Sequence, residues 1–245
     1  MREGDKLDLL LVHGMGRTPL SLARLARYLR RAGHRPRVVG YVAAVERFPA
    51  IRDRVRRRLE LAARSGRPYA VIGHSLGGLL VRAALGGWPA ALSPPRQVIM
   101  LGTPNRPPRL ARRLQRLWPY RLVNGECGRL LAQTEFFTGL PPMAVPCTIV
   151  AGTGGGRGRW SPFGRDANDG IVAVDEAEMD GTVYLVQLPV RHTFMMNDRR
   201  VRTVVLKALE GVSRAAPPDT LSRFPEGCQV IGVAIRPSTR GREAR

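Results

Sequence analysis

The sequence predicts an α/β protein built on a mostly parallel sheet of about six strands, with helices on both faces. Two observations carry this prediction. Short apolar runs alternate along the chain with longer stretches whose apolar residues recur at helical spacing. Glycine-bearing turns join the strand ends to the helix starts, as successive βα units require. At 245 residues, 44% hydrophobic and 24% charged, the composition is that of a globular domain large enough to bury a substantial core.

Leu7–Val12 reads as the first strand, followed by His13-Gly14-Met15-Gly16-Arg17-Thr18. Pro19 opens a helix with Leu22, Leu25, Ala26 and Leu29 at helical spacing, and Gly33 ends it. Arg37–Tyr41 is a second strand. Phe48–Arg64 is a helix with Ile51, Val55, Leu59 and Ala62 inward and its arginines outward. Tyr69–Ile72 and Gln97–Leu101 are the next strands, with a helix over Leu79–Leu85 between them. Thr148–Ala151 and Val183–Gln187 follow, then a helix from Asp198 to Glu210.

The alternation breaks at 106–142. Leu110, Leu114 and Leu117 share one side of a short helix bearing Arg109, Arg112, Arg113 and Arg116, and Trp118-Pro119-Tyr120 and Phe136-Phe137 come after it. The insertion leaves from a strand C-terminus, so it is expected to be a helical lid whose aromatics wall an apolar crevice. The main domain spans 1–212. In the tail, 213–245, the apolar run Val230–Ile235 is expected to add one edge strand before a disordered end. Gly152-Thr153-Gly154-Gly155-Gly156 lacks the lysine and the following helix of a phosphate-binding loop and reads as a flexible connection.

The formal charge of +21 comes from 40 basic residues, of which Lys6 and Lys207 alone are lysine. The arginines are spread along the chain without interleaved aromatics, a pattern of codon usage on solvated faces rather than of a nucleic-acid surface. No specific nucleic acid is expected, whereas the basic surface suits peripheral contact with an anionic membrane. No run approaches the roughly 20 apolar residues of a spanning helix. The acidic, short N-terminal lead-in is unlike a secretory signal, so a cytoplasmic location is expected. Cys127, Cys147 and Cys228 have neither paired nor metal-ligand spacing, and no metal or cofactor is implied.

Gly73-His74-Ser75-Leu76-Gly77-Gly78 joins an apolar strand to a helix. This Gly-x-Ser-x-Gly pattern places a serine on a sharp, strained turn where side chains flanking it would collide. A serine hydroxyl needs a base, and the base needs a carboxylate to hold its tautomer. Of the four histidines, His13 and His74 belong to turn motifs and His34 to a polar turn. His192, between a strand and the last helix, is the candidate base. Asp166, Asp169, Asp175, Glu176 and Asp180 are available acids. Asp169, in Asn168-Asp169-Gly170-Ile171-Val172, is preferred, because Gly170 permits a tight turn and the apolar pair anchors it. The N–H groups of Leu76, which follows the serine, and of Met15, between glycines after the first strand, are the candidate oxyanion donors.

Leu11-Val12-His13-Gly14-Met15-Gly16-Arg17, Gly73-His74-Ser75-Leu76-Gly77-Gly78, Gly102-Thr103-Pro104-Asn105, Asn168–Val172 and Arg191-His192-Thr193 together resemble the α/β-hydrolase superfamily, from Leu7 to Glu210. More narrowly they resemble bacterial serine lipases and esterases and the inositol-deacylase-like hydrolases. The resemblance implies a serine esterase or lipase that forms an acyl-enzyme on Ser75, with Asp169 and His192, no cofactor, and a small-molecule or lipid ester as substrate. Acyl transfer or thioester hydrolysis by the same residues is the alternative. A non-enzymatic basic module that binds membrane or nucleic acid is the rival from another class. With the sequence opening on the strand that carries His13-Gly14, the family's leading hairpin is expected to be missing, and Arg106-Pro107-Pro108 stands where a Gly-Ser is often found.

Overall fold

A computed structural model describes residues 6–114, 125–180, 183–213 and 229–233. Seven strands form one sheet in the order β2-β1-β3-β4-β5-β6-β7. They are β1 (Asp8–Val12), β2 (Arg35–Val39), β3 (Tyr69–His74), β4 (Val98–Leu101), β5 (Cys147–Gly152), β6 (Val183–Leu188) and β7 (Gln229–Val233). The first six are parallel, in agreement with the expected sheet, and β7 adds the expected edge strand antiparallel to β6, with Leu185 opposite Ile231. Trp118, Tyr120 and Cys228 lie outside the described residues, as do 214–228 and 234–245.

The helices are α1 (Ala23–Arg31, after a 3-10 turn at Pro19–Leu22), α2 (Phe48–Arg64), α3 (Leu76–Leu85), α4 (Arg109–Leu114), α5 (125–130), α6 (Thr134–Thr138), α7 (Val174–Ala177) and α8 (Arg199–Ser213). Alternation along β1 sends Leu9 and Leu11 to a core beneath α1 and α8. Leu10 and Val12 go to a second core beneath α2 and α3. The two-sided burial explains why the strands read as continuous apolar runs. β2 begins two residues earlier than expected and stops before Tyr41, because Arg35 and Arg37 point to solvent while Pro36 and Val39 are buried. Helix α3 begins directly at Leu76 rather than Leu79. No helix among the described residues is long and apolar enough to cross a membrane.

The chain starts in the sheet, moves to the β2 edge, returns to β3 beside β1 and then proceeds the other way. Strand order therefore reverses at β1 and β3, and a crevice opens outside the carboxyl ends of these two strands. His13 and Ser75 follow those ends.

Candidate active site

Ser75 has φ 54° and ψ −122°, and among the described residues it is the one non-glycine with positive φ. Such backbone costs of order 1–3 kcal/mol and persists where its surroundings hold it. Its N–H donates to the Leu101 carbonyl at 2.9 Å, and its own carbonyl accepts from the Gly78 N–H at 3.0 Å and the Thr103 hydroxyl at 3.1 Å. The flanking glycines are required by close approach. A Cβ at Gly73 would stand 2.5 Å from the Gly78 nitrogen, and one at Gly77 would stand 2.2 Å from the Val12 carbonyl oxygen. Leu76 begins α3, so its N–H has no partner in the helix.

Asp169 and His192 are both buried, and Asp169 Oδ2 accepts from His192 Nδ1 at 2.7 Å. The other oxygen, Oδ1, accepts the N–H groups of Ile171 at 2.9 Å and Val172 at 2.7 Å. The His192 N–H donates to the Asp169 carbonyl at 3.0 Å, so backbone and side chain both join the two loops. Asn168 turns the Asp169 loop: its Oδ1 accepts from the Gly170 N–H at 2.9 Å and its Nδ2 donates to the Gly156 carbonyl at 3.1 Å. The glycine run after β5, expected to be flexible, is instead tied down. Gly154 donates to Val190 and Gly155 to Asn168, at 3.1 and 2.7 Å. A Cβ at Gly152 would meet Asp169 Cβ at 2.6 Å, and one at Gly155 would meet Asn168 Oδ1 at 1.8 Å. These glycines let two loops touch, which is what a glycine cluster at a strand end can signal.

His74 joins the serine turn to the His192 loop. Its Nε2–H donates to the His192 carbonyl at 3.1 Å, and the two rings lie 5.0 Å apart. Burial first, then the neighbouring His192, hold its pKa well below the ordinary histidine value, so the ring is neutral. Gly14 passes so close that a Cβ there would meet His74 Nδ1 at 2.8 Å and Ser75 Cβ at 3.1 Å. The half-buried Met15 follows on the same loop. The loop is braced by Tyr41, whose ring stacks on His13 at 4.0 Å and whose hydroxyl donates to the His13 carbonyl. Arg17 donates to the Thr193 carbonyl and lies over the Phe194 ring, linking the Met15 loop to the His192 loop.

No family model matches the sequence, and no curated protein is significantly similar to it. Solved structures are similar in fold. Bacillus licheniformis lipase BlEst2 in its mature form matches with a TM-score of 0.65 and 20% identity, over 84% of this chain and 92% of that one. A structure from the metagenome-derived lipolytic enzymes LipS and LipT matches with a TM-score of 0.62 and 14% identity, over 84% and 93%. The fold is that of the α/β-hydrolases. Phospholipase PlaB from Legionella pneumophila matches with a TM-score of 0.54 and 20% identity over 74% of this chain. This chain spans 46% of PlaB, under half of its length.

Within this α/β-hydrolase fold the remaining acids separate by burial. Asp166 and Asp175 are exposed and pair with Arg109, and Asp180 is exposed. Glu176 is buried and holds backbone: its Oε2 accepts the Ala173 N–H at 2.9 Å and its Oε1 the Arg109 N–H at 2.7 Å. Burial raises its pKa despite these bonds. Its carbonyl accepts from Asn105 at 2.7 Å and Arg106 at 3.0 Å, so it fastens the β4–α4 connection to the acid segment. This role of Glu176 and Arg109 had no local sign in the sequence. Of the insertion's aromatics, Phe136 and Phe137 lie within the described residues. Phe137 is buried, and Phe136 meets Phe48 of α2 edge to face at 5.0 Å.

Proposed function

We propose that the protein is a serine hydrolase that cleaves carboxylic esters through an acyl-enzyme on Ser75. One observation carries the reading: a serine on a strained strand-to-helix turn stands beside His74, which bonds the base loop in which Asp169 fixes His192 at 2.7 Å. His192 takes the Ser75 proton as the hydroxyl oxygen attacks the acyl carbon, then returns it to the departing alkoxide. Asp169 holds the proton on Nδ1, leaving Nε2 free to accept. The N–H groups of Met15 and Leu76 stabilise the oxyanion, each contributing about 3 kcal/mol to the transition state. Water then attacks the acyl-enzyme by the reverse proton path. The lipolytic names of the similar structures support esters over peptides as substrates.

The test compares hydrolysis of p-nitrophenyl esters of short, medium and long chain by the wild type and Ser75→Ala. Loss of at least about 10³ in kcat in the variant is expected, together with fluorophosphonate labelling of the wild type only. A wild type inactive on every ester and unlabelled by the probe would overturn the reading.

A further inference from the structure

Among the described residues, seven large hydrophobic side chains stand exposed, and six of them are Leu20, Val42, Val45, Trp160, Ile171 and Phe194. Each lies in a segment that follows the C-terminal end of a parallel strand. Leu20 comes after β1, Val42 and Val45 after β2, Trp160 and Ile171 after β5, and Phe194 after β6. Those segments emerge at the sheet edge that holds Ser75 and His192. The seventh, Leu61, lies on α2 near Asp8 and Arg35, the first residues of β1 and β2, at the other end of the sheet. Trp160 is 86% exposed, Leu20 81% and Val45 80%, a costly display for side chains facing only water.

The same edge is positive. Carboxylates of these segments pair with arginines, Glu46 with Arg54, Asp166 and Asp175 both with Arg109, and Asp198 with Arg200, and arginines outnumber them. Arg24, Arg157, Arg159 and Arg165 are exposed, and among the described residues no carboxylate pairs with them. Arg159 lies 4.5 Å over the Trp160 ring, and Arg17 5.3 Å over Phe194. Leu20 and Phe194 flank a cavity of about 140 Å³ that Arg17 and Arg24 also line.

We propose that this edge docks on an anionic lipid surface, with the apolar side chains entering the headgroup boundary and the arginines pairing with lipid phosphates. Aromatic and aliphatic groups interspersed with arginine match an interface that is apolar below and anionic above. A nucleic acid would give Leu20, Val42 and Val45 nothing to bury in. The inference deepens the ester-hydrolase reading by naming the phase in which substrate meets Ser75. It rests on that reading for the substrate and not for the docking.

The experiment uses full-length Ser75→Ala, so that lipid stays intact. Co-sedimentation is measured with phosphatidylcholine vesicles, with and without one third phosphatidylglycerol, alongside tryptophan quenching by brominated acyl chains. Binding is expected only with the anionic lipid, weakening with salt, with quenching lost when Trp160→Phe is added. Trp160→Ala or Phe194→Ser is expected to weaken partition roughly tenfold, and Arg159→Gln roughly fivefold. Leu61→Ser is expected to leave it unchanged. Equal binding to neutral vesicles, no binding, indifference to Trp160 and Phe194, or preference for duplex DNA over anionic vesicles would each overturn the proposal. Docking by a protein whose wild type hydrolyses no ester would refute the hydrolase reading and leave the docking face standing.

Discussion

Replacing Asp169 by asparagine changes one atom and reverses one proton. In the native site Oδ1 takes two backbone N–H groups, from Ile171 and Val172, while Oδ2 takes His192 Nδ1–H. An amide can keep its oxygen on the two N–H groups only by pointing its NH₂ at His192. The imidazole then accepts at Nδ1 and carries its proton on Nε2, where, in the proposed mechanism, it can no longer take one from Ser75. The opposite rotamer faces NH₂ against two donors in a buried site, at about 1–3 kcal/mol for each group left unpaired, so the wrong tautomer is the outcome. In a Ser-His-Asp triad that change lowers kcat by about 10⁴, or about 5.5 kcal/mol of transition-state stabilisation, and the proposed role of Asp169 predicts the same loss here. KM for a p-nitrophenyl ester is expected to stay within a few-fold, because the carboxylate touches no substrate. The assay is steady-state hydrolysis beside thermal unfolding, since the change is local and Tm is expected to fall by no more than a few degrees. Glu176→Gln is the companion: a buried carboxylate of the same segment that holds only backbone and Arg109, it is expected to lower Tm with kcat within about threefold. An Asp169→Asn enzyme that keeps kcat/KM within tenfold of the wild type would refute the assignment of Asp169.

Gly77→Ala places a Cβ 2.2 Å from the Val12 carbonyl oxygen, backbone that cannot yield, and is expected to destabilise by more than about 3 kcal/mol; Gly156→Ala, with nothing within 4 Å, is expected to be silent in the same thermal melt. Arg17→Ala unties the Met15 loop from Thr193 and Phe194, so about a tenfold loss in kcat is expected with little change in Tm, and an unchanged kcat would show that the tie does not position the oxyanion donors. His13, His34 and His74 all have pKa values lowered chiefly by burial. Below pH 6.5 the unfolded chain binds protons on these rings that the folded chain does not, so stability falls with pH, by at most about 1.4 kcal/mol per unit for each ring. Glu176, with its raised pKa, works in the opposite sense at lower pH. Denaturant melts between pH 7.5 and 5.5 are expected to show this slope, reduced in His74→Gln; a flat profile in the wild type would contradict the buried neutral rings.

What the sequence made legible was whatever depends on local pattern. The strands could be read because burial on both faces leaves no polar alternation to interrupt them, and the turn at Ser75 because two glycines and a serine at fixed spacing have few other uses. Asp169 and His192 could be named from position and neighbours, yet their 2.7 Å contact depends on β5 and β6 being adjacent, which no window of sequence contains. The same holds for the misread segments. Gly152–Gly156 looks like a free connection in one dimension and becomes a packing surface only when the acid loop and the Val190 turn arrive from elsewhere. The contact of Phe136 with Phe48 is likewise outside any window of sequence, because the two are far apart in the chain.

These cases share a physical cause. The residues that the local pattern could not interpret are those at which two distant segments approach within backbone contact, and glycine or a neutral buried histidine is what permits the approach. At Gly14 the loop after β1 comes close to both His74 and Ser75, and a methyl group there would collide with the ring that bonds the base loop. At Gly102, φ is +56° and an added Cβ would stand 3.0 Å from His192 Nδ1. The strain at Ser75 is therefore held from three loops at once, after β1, β4 and β6, through the close approaches at Gly14 and Gly102 and the hydrogen bonds of Thr103 to the Ser75 carbonyl and of His74 to the His192 carbonyl. A site held in this way is sensitive to single added methyl groups and comparatively tolerant of lost surface ion pairs, most of which are worth under about 1 kcal/mol. Gly14→Ala is thus expected to cost more activity than Arg109→Gln costs, even though Arg109 reaches three carboxylates. The reverse order in kcat/KM would mean that charge, and not close backbone approach, holds the site.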